Sequence, residues 1–235
     1  MKIAVLNFSG NVGKTTIAAH LLKPRMPQAK IYSIESINID GECDGVNVEK
    51  MRGKNFGVLI DELITLNEAI IDVGASNIED FIKLMQHFDS SHEVFDLFLI
   101  PITKEKKVQS DTINTILALQ KLGVEKNKIR VLFNKLDIDE LAKEEFSAIF
   151  AAAKINDSFL VNENSVIYIN EIFDRIKAVG KSLLEISQDT TDYKARLKED
   201  ISNDERVFCV QMIALKRLAV TANKNLDTVF ETIVN

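Results

Sequence analysis

Short apolar runs alternate with longer segments of helical period along most of this chain, and that alternation limits the folds open to it. The runs are rich in β-branched residues and apolar at consecutive positions, as strands must be when helices cover both faces of their sheet. Six runs have this form: residues 2–7, 31–37, 69–73, 97–102, 129–134 and 158–161. Helical periodicity marks residues 14–22, 78–88, 110–122, 138–153 and 171–185. The pattern predicts an α/β fold, with a mostly parallel sheet and helices on both faces.

The chain changes character after Ser187. Residues 188–192 are polar and linker-like, and the remainder of the chain has helical spacing only, with Asn203 as a candidate N-cap. A length of 235 residues allows one large domain, or one domain with a modest appendage. We therefore expect a main domain over residues 1–187 and a helical extension over 188–235 that packs on it.

Charge and cysteine content exclude several classes of protein. Thirty-five acidic and 29 basic side chains give a net charge of −6, which repels phosphate backbones, so DNA contact would have to be local, nucleotide-dependent or made by a partner. Cys43 and Cys209 are too few and too far apart for a disulfide framework or a zinc site. The first apolar run is too short for a signal peptide, and no run reaches the roughly 20 residues that span a bilayer. We expect a cytoplasmic protein without a membrane span.

Residues 9–16, Ser-Gly-Asn-Val-Gly-Lys-Thr-Thr, directly follow the first predicted strand and open the first predicted helix. A loop that holds phosphates needs backbone N–H groups facing one cavity, glycines that let the chain turn, a lysine for the β- and γ-phosphate charge and a hydroxyl for Mg²⁺. Gly10, Gly13, Lys14 and Thr15 supply these groups. We call residues 9–16 the phosphate loop.

The phosphate loop resembles the deviant Walker A motif, Lys-Gly-Gly-x-Gly-Lys-Thr, of the ParA/MinD family of plasmid- and division-site-positioning ATPases. Gly10, Val12, Gly13, Lys14 and Thr15 match that motif. The resemblance implies a P-loop NTPase that binds ATP with Mg²⁺ and uses it as a conformational switch.

Two positions of the loop depart from the motif. Ser9 stands where the family has its signature lysine, and Asn11 stands where it has its second glycine. In the family that lysine reaches the partner's phosphates in a nucleotide-dependent homodimer, a contact that Ser9 does not supply. The longer string from Leu6 to Thr16 is similar to the StbB plasmid-stabilisation proteins and their TraL-type relatives. That similarity implies a role in plasmid stability, partition or conjugative transfer, with a plasmid-encoded DNA-binding protein as a candidate partner.

A second motif ends the third apolar run. Residues 69–76 form a hydrophobic strand followed by Asp72 and Gly74, and they resemble the Walker B and switch II segment of P-loop NTPases. The resemblance implies that Asp72 orders the Mg²⁺ shell together with Thr15, and that the Gly74 N–H group senses a γ-phosphate. The alternative is an Asp-x-Gly turn that only ends a strand.

The second apolar run resembles the family's second strand, which normally ends Asp-x-Asp-Pro-Gln and carries the aspartate that orients water. Glu35 falls at the first aspartate position and Ile37 at the second. Asn38 or Asp40 could substitute, which makes Asp40 a catalytic candidate and slow hydrolysis the expectation. The alternative is that residues 40–45 are a solvated acidic loop.

Base recognition is expected from the late strands. An Asn side chain offers both a donor and an acceptor to a base edge, which makes Asn134 a candidate. Residues 134–137, Asn-Lys-Leu-Asp, also match the guanine-specificity motif of GTPases, but such short matches often arise by chance, and we favour adenine. By family resemblance, Val161 and Asn162 would form the second wall of the base site.

Together these motifs predict a Mg²⁺-dependent ATP-binding switch with slow hydrolysis, in which Lys14, Asp72 and Asp40 are the catalytic candidates and Thr15 and Asp72 hold the metal. Two other interpretations stay open: a GTPase switch, and an adaptor that holds nucleotide for a DNA-binding partner with little turnover. The residues predicted to contact the nucleotide are Ser9, Gly10, Asn11, Val12, Gly13, Lys14, Thr15, Thr16, Gly74, Asn134, Lys135, Asp137, Val161 and Asn162.

Overall fold

The computed structural model describes residues 1–34, 49–51 and 56–235. The candidates near the second strand, Glu35, Ile37, Asn38 and Asp40, lie outside the described residues.

Among the described residues, seven strands form one sheet, and all neighbouring strands pair in parallel. They are β1 (Lys2–Val5), β2 (Lys30–Ile34), β3 (Glu49–Met51), β4 (Ala69–Val73), β5 (Leu97–Ile102), β6 (Ile129–Leu136) and β7 (Leu160–Tyr168). Their order across the sheet is β3-β2-β4-β1-β5-β6-β7. The predicted α/β fold with a parallel sheet is confirmed.

Helices cover both faces of this sheet. They are α1 (Lys14–Thr16), α2 (Phe56–Thr65), α3 (Ile78–His87), α4 (Lys106–Lys121), α5 (Ala142–Glu145), α6 (Ser147–Asn156), α7 (Ile172–Arg175), α8 (Leu183–Gln188), α9 (Tyr193–Arg196) and α10 (Asn203–Val234). α1 continues directly into a π-helix, Ile17–Leu22, and a 3₁₀ turn, Lys23–Arg25. α2 is not among the predicted helices, although its buried residues Phe56, Leu59, Ile60 and Leu63 recur at helical spacing. The additional apolar residues Val58 and Ile64, which are exposed, obscure that pattern in the sequence.

Two predicted helices are interrupted. The predicted helix 138–153 breaks at Phe146, whose buried ring packs against Phe133 with 4.6 Å between ring centroids. The predicted helix 171–185 ends before Gly180, which has a left-handed φ of 65°, and α8 restarts behind the N-cap Ser182. Tertiary packing and one glycine thus overrode the helical period in these segments.

The sheet is buried on both faces because its strands alternate between two cores. Ile3 and Val5 pack into the core that includes the π-helix and α10, whereas Ala4 and Leu6 pack into the core that includes α2 to α6. Consecutive apolar residues along a strand are therefore needed here, as the sequence predicted.

α10 spans 32 residues and lies along one face of the sheet. Its N-cap is Ser202, whose hydroxyl accepts from the Glu205 N–H group, while the Glu205 carboxylate accepts from the Ser202 N–H group. The predicted cap, Asn203, is instead the first helical residue, because the reciprocal bonds of this capping box select Ser202. The buried residues of α10 recur every three or four positions: Cys209, Met212, Leu215, Ala219, Ala222, Leu226, Val229 and Ile233.

The division of the chain at residues 187 and 188 stays a prediction, and α8 runs to Gln188. In the parts of the chain that the structure describes, no helix combines the length and the apolar character needed to cross a membrane.

Candidate functional site

A cavity of about 680 Å³ opens where the strands of the sheet end. Crevices at the carboxyl ends of parallel strands are the usual ligand sites of α/β sheets. Its lining includes Gly10, Asn11, Gly13, Lys14, Thr15 and Thr16 of the phosphate loop, Gly74 after β4, Asn134 and Lys135 of β6, residues 167–170 at the end of β7, Phe173 of α7 and Leu226 of α10. The fold therefore brings the phosphate loop together with three other predicted site residues, Gly74, Asn134 and Lys135.

The phosphate loop depends on two left-handed residues. Gly13 has a φ of 89°, and a Cβ atom there would lie 2.5 Å from Nδ2 of Asn134, so a side chain cannot fit without displacing Asn134. Asn11 has a φ of 57°. Asn is one of the few residues other than Gly that adopt this conformation readily, which explains how it can replace a glycine at this position.

Lys14 is buried in the phosphate loop. Its ammonium donates to the carbonyl oxygens of Asn7 at 3.2 Å and Ser9 at 2.7 Å. Burial lowers the pKa of Lys14 to about 8, an effect that the nearby Asp72 carboxylate partly opposes. The carbonyl groups of Asn7 and Ser9 thus hold the lysine at the cavity, which it lines.

A hydrogen bond joins the side chains of Thr15 and Asp72. The Thr15 hydroxyl donates to Oδ2 of Asp72 at 2.6 Å, and Asp72, on the neighbouring β4, is 4% exposed. A hydroxyl and a carboxylate are the hard oxygen ligands that Mg²⁺ accepts when phosphate and water supply the rest of its shell. No group of three or more His, Cys, Asp or Glu side chains suited to a metal lies within the described ranges.

The side chain of Ser9 points into the protein. Its hydroxyl donates to Oδ2 of Asp111 on α4 at 2.6 Å, and Ser9 is buried. The residue at the position of the family's signature lysine is therefore used to fasten the loop to α4.

Two residues of α4, Thr112 and Thr115, fix the segment before the phosphate loop, and the sequence motifs did not reveal them. Fully buried Asn7 donates to the Thr112 hydroxyl at 2.7 Å, and its own side-chain oxygen accepts from the Ser9 N–H group. The Thr115 hydroxyl accepts from the Phe8 N–H group and donates to the Asp111 carbonyl. The available signal was a polar residue, Asn7, at the end of a buried strand, since buried polar groups need partners.

Asn134 and Lys135 fasten the loop from its other side. Nδ2 of Asn134 donates to the Val12 carbonyl at 2.8 Å, and its Oδ1 accepts from the Lys135 N–H group at 3.0 Å. Nζ of Lys135 donates to the Asn11 carbonyl at 3.1 Å. Both residues line the cavity, but part of the hydrogen-bonding capacity of Asn134 is already taken up by the loop.

Asp137, Val161 and Asn162 do not line the cavity. Asp137 lies 3.8 Å from the ammonium of Lys104. The predicted end of the last strand at residue 161 is wrong: β7 runs to Tyr168, and Val161 pairs with Val131 near the start of β6. The polar residues around Asn162 fit inside β7 because it is an edge strand with irregular register. The cavity wall lies at residues 167–170 instead.

Gly74 lines the cavity, but its N–H group donates to the Ile34 carbonyl at the end of β2, at 3.0 Å. This bond ties the end of β4 to β2. A contact between this N–H group and a phosphate would require the bond to open.

Substitution of the two loop glycines should separate their roles. We expect Gly13→Ala to destabilise the protein by about 1–3 kcal/mol, because alanine is strained at this φ and its Cβ would displace Asn134. Gly10→Ala is the matched control and should change stability by less than about 0.5 kcal/mol, because no heavy atom lies within 4 Å of its Cβ position. Urea unfolding measures both, and equal effects would contradict the account.

The sequence matches no family model and no curated protein. Solved structures with a similar fold include a ParA family ATPase from Chlorobium tepidum, with a TM-score of 0.52, 13% identity and coverage of 89% of this chain and 97% of that one. MinD from Aquifex aeolicus has a TM-score of 0.50, 14% identity and coverage of 100% and 97%. Apo McdA from Cyanothece has a TM-score of 0.50, 17% identity and coverage of 93% and 98%. The chain therefore has the P-loop fold seen in ParA and MinD.

Proposed function

We propose that this chain binds ATP with Mg²⁺ in the cavity and uses the nucleotide as a conformational switch of the ParA/MinD type. The observation that carries the proposal is the phosphate loop itself, in which Lys14 is buried and Thr15 is hydrogen-bonded to Asp72. The N–H groups of a helix's first turn have no partner within the helix, so those that begin α1 are available to phosphate oxygens.

Thr15 and Asp72 would hold the magnesium ion. Their oxygens lie 2.6 Å apart, and both are of the type this ion prefers. When bound, the ion would neutralise phosphate charge and orient the polyphosphate. The Asp72 carboxylate also favours the charged form of Lys14.

Nucleotide binding would change two contacts. Lys14 would release at least one of the carbonyls of Asn7 and Ser9 to reach phosphate oxygens. The Gly74 N–H group would leave the Ile34 carbonyl if it senses a γ-phosphate. The second change would remove a hydrogen bond at the end of β2. Binding of the γ-phosphate would in this way alter a contact between two strands of the sheet.

We favour adenine over guanine as the base that the site takes. A guanine reader needs a carboxylate at the base edge, and Asp137, the carboxylate of the Asn-Lys-Leu-Asp segment, lies outside the cavity and near Lys104. Asn134 would then contact the base with the part of its amide that the loop leaves available. Competition between ATP and GTP analogues tests this choice, and preferential binding of GTP would favour the GTPase alternative.

The biological role we propose is plasmid stability, partition or conjugative transfer in the cytoplasm, beside a DNA-binding partner and through a nucleotide-dependent homodimer. The resemblance of the phosphate loop to the StbB proteins supports this role. Slow hydrolysis would use Lys14 and Asp72, together with Asp40 as a candidate that lies outside the described residues.

An adaptor with little turnover is the second candidate. Ser9 favours it, because its side chain is bonded to Asp111 of the same chain and carries no charge that could reach a partner's phosphates. Turnover assays with and without DNA and the partner distinguish the two. Hydrolysis that DNA or the partner stimulates would support the ATPase switch.

Lys14→Ala should remove nucleotide binding. We expect the affinity for a non-hydrolysable ATP analogue with Mg²⁺ to fall by at least about 100-fold, because charged hydrogen bonds to phosphate are lost. Calorimetric titration measures the affinity, and light scattering on the same samples records the oligomeric state. Lys126→Ala is the matched control, because Lys126 pairs with Asp157 and does not line the cavity. Micromolar binding by Lys14→Ala would overturn the proposed function.

The affinity should also depend on pH. The pKa of Lys14 is about 8 in the empty protein, and a bound polyphosphate favours the charged ammonium, so binding above that pH requires proton uptake. We expect Kd to be nearly constant around pH 7 and to rise by up to about tenfold per pH unit between about pH 8.5 and 10. Lys14→Arg stays charged over this range. Its Kd for the ATP analogue, whatever its value, should therefore not rise between about pH 8.5 and 10 as the wild-type Kd does. A constant wild-type Kd over the whole range would contradict the account.

A further inference from the structure

Arg25 follows the π-helix that continues α1 and lies in the 3₁₀ turn Lys23–Arg25. Its side chain is 10% exposed. Nη1 donates to the carbonyl oxygens of His20 and Leu21, each at 3.1 Å. These carbonyls belong to the last turn of the π-helix, where backbone acceptors need partners from outside the helix.

The other terminal nitrogen of Arg25 binds α10. Nη2 donates to the backbone carbonyl of Asn223 at 3.0 Å, to the side-chain oxygen of Asn223 at 3.1 Å and to Oδ1 of Asp227 at 2.6 Å. Burial lowers the pKa of Arg25, and the Asp227 carboxylate opposes that effect. One guanidinium therefore joins two elements that are about 200 positions apart in the chain.

Both ends of this junction adjoin the cavity. Leu21, whose carbonyl accepts from Arg25, lines the cavity, and so does Leu226, which lies on α10 between Asn223 and Asp227. The π-helix is also continuous with Thr15 and Thr16 of the phosphate loop. A shift at this junction would move two walls of the cavity.

α10 is also hydrogen-bonded to β7, through Asn225. Oδ1 of Asn225 accepts from the Tyr168 N–H group at 3.2 Å, and its Nδ2 donates to the Val166 carbonyl at 2.8 Å. Tyr168 lines the cavity at the end of β7. α10 therefore contacts both the turn that follows the π-helix and β7.

We propose that Arg25 is a positioning residue that makes the C-terminal helix a wall of the nucleotide site and couples nucleotide binding to α10. This inference rests on the proposed function, because it concerns the same cavity. Arg25 holds the π-helix and α10 in one arrangement, so ordering of the phosphate loop by nucleotide is transmitted to residues 219–233 of α10. Sequence reasoning could not find this role, because no local motif joins Arg25 to Asp227.

Amide hydrogen exchange with and without a non-hydrolysable ATP analogue and Mg²⁺ tests the coupling. In the wild-type protein, we expect the nucleotide to slow exchange both in the phosphate loop and in residues 219–233 of α10. In Arg25→Met, the loop should still be protected at saturating nucleotide, whereas the added protection of α10 should be lost. The affinity of Arg25→Met should fall about tenfold, the size expected when hydrogen bonds from a charged group are removed.

Two further variants keep the test decisive. Asp227→Ala removes only a half-exposed acceptor and leaves Arg25 with the carbonyl oxygens of His20, Leu21 and Asn223, so it should fold and show a smaller loss in the same direction. Lys126→Met is the matched control, because it removes an ion pair with Asp157 far from the junction and should leave affinity and α10 protection unchanged.

A lower midpoint of thermal unfolding in Arg25→Met, with wild-type affinity and wild-type α10 protection, would show a purely structural role and overturn the inference. Failure of the wild-type protein to bind the analogue would overturn the proposed function itself. Binding with protection confined to the phosphate loop would leave the proposed function standing and contradict only the coupling.

Discussion

The buried ammonium of Lys14 is the constraint on which the rest of the site depends. A charge removed from water needs polar partners, and here the carbonyls of Asn7 and Ser9 provide them. Those carbonyls keep their places because α4 binds the same two residues through Thr112 and Asp111. The ammonium of Lys14 is therefore held away from water, in a position from which it could form hydrogen bonds with phosphate oxygens.

The order of the strands explains how so many groups reach one loop. β1 lies between β4 and β5, so the loop after β1 meets Asp72 at the end of β4 on one side and α4, which comes after β5, on the other. The end of β6 lies one strand further and still reaches the loop through Asn134. α10 then closes the cavity from the face that the π-helix occupies, through Arg25. This strand order brings segments that are far apart in sequence into contact at the site.

Much of the fold and the centre of the site could be predicted from the sequence, because their signals are local. Consecutive apolar runs indicate strands buried on both faces, and the phosphate loop combines fixed spacing with fixed chemistry. Asp111 and Arg25 escaped prediction because their partners lie about 100 and 200 positions away. The predicted last strand ends too early, at residue 161, because the polar residues around Asn162 are typical of a loop. An edge strand such as β7 tolerates them. The features that escaped prediction were decided by tertiary contacts.

In the empty protein the carbonyls of Asn7 and Ser9 hold Lys14, and under the proposed function a nucleotide would release it. Nuclear magnetic resonance titration of the Lys14 side chain, with and without the Mg²⁺ complex of an ATP analogue, tests that claim most directly. The account predicts a pKa of about 8 in the empty protein and a higher value in the complex, because bound phosphate favours the ammonium. A Lys14 pKa at its ordinary value in the empty protein, unchanged by the nucleotide, would contradict it.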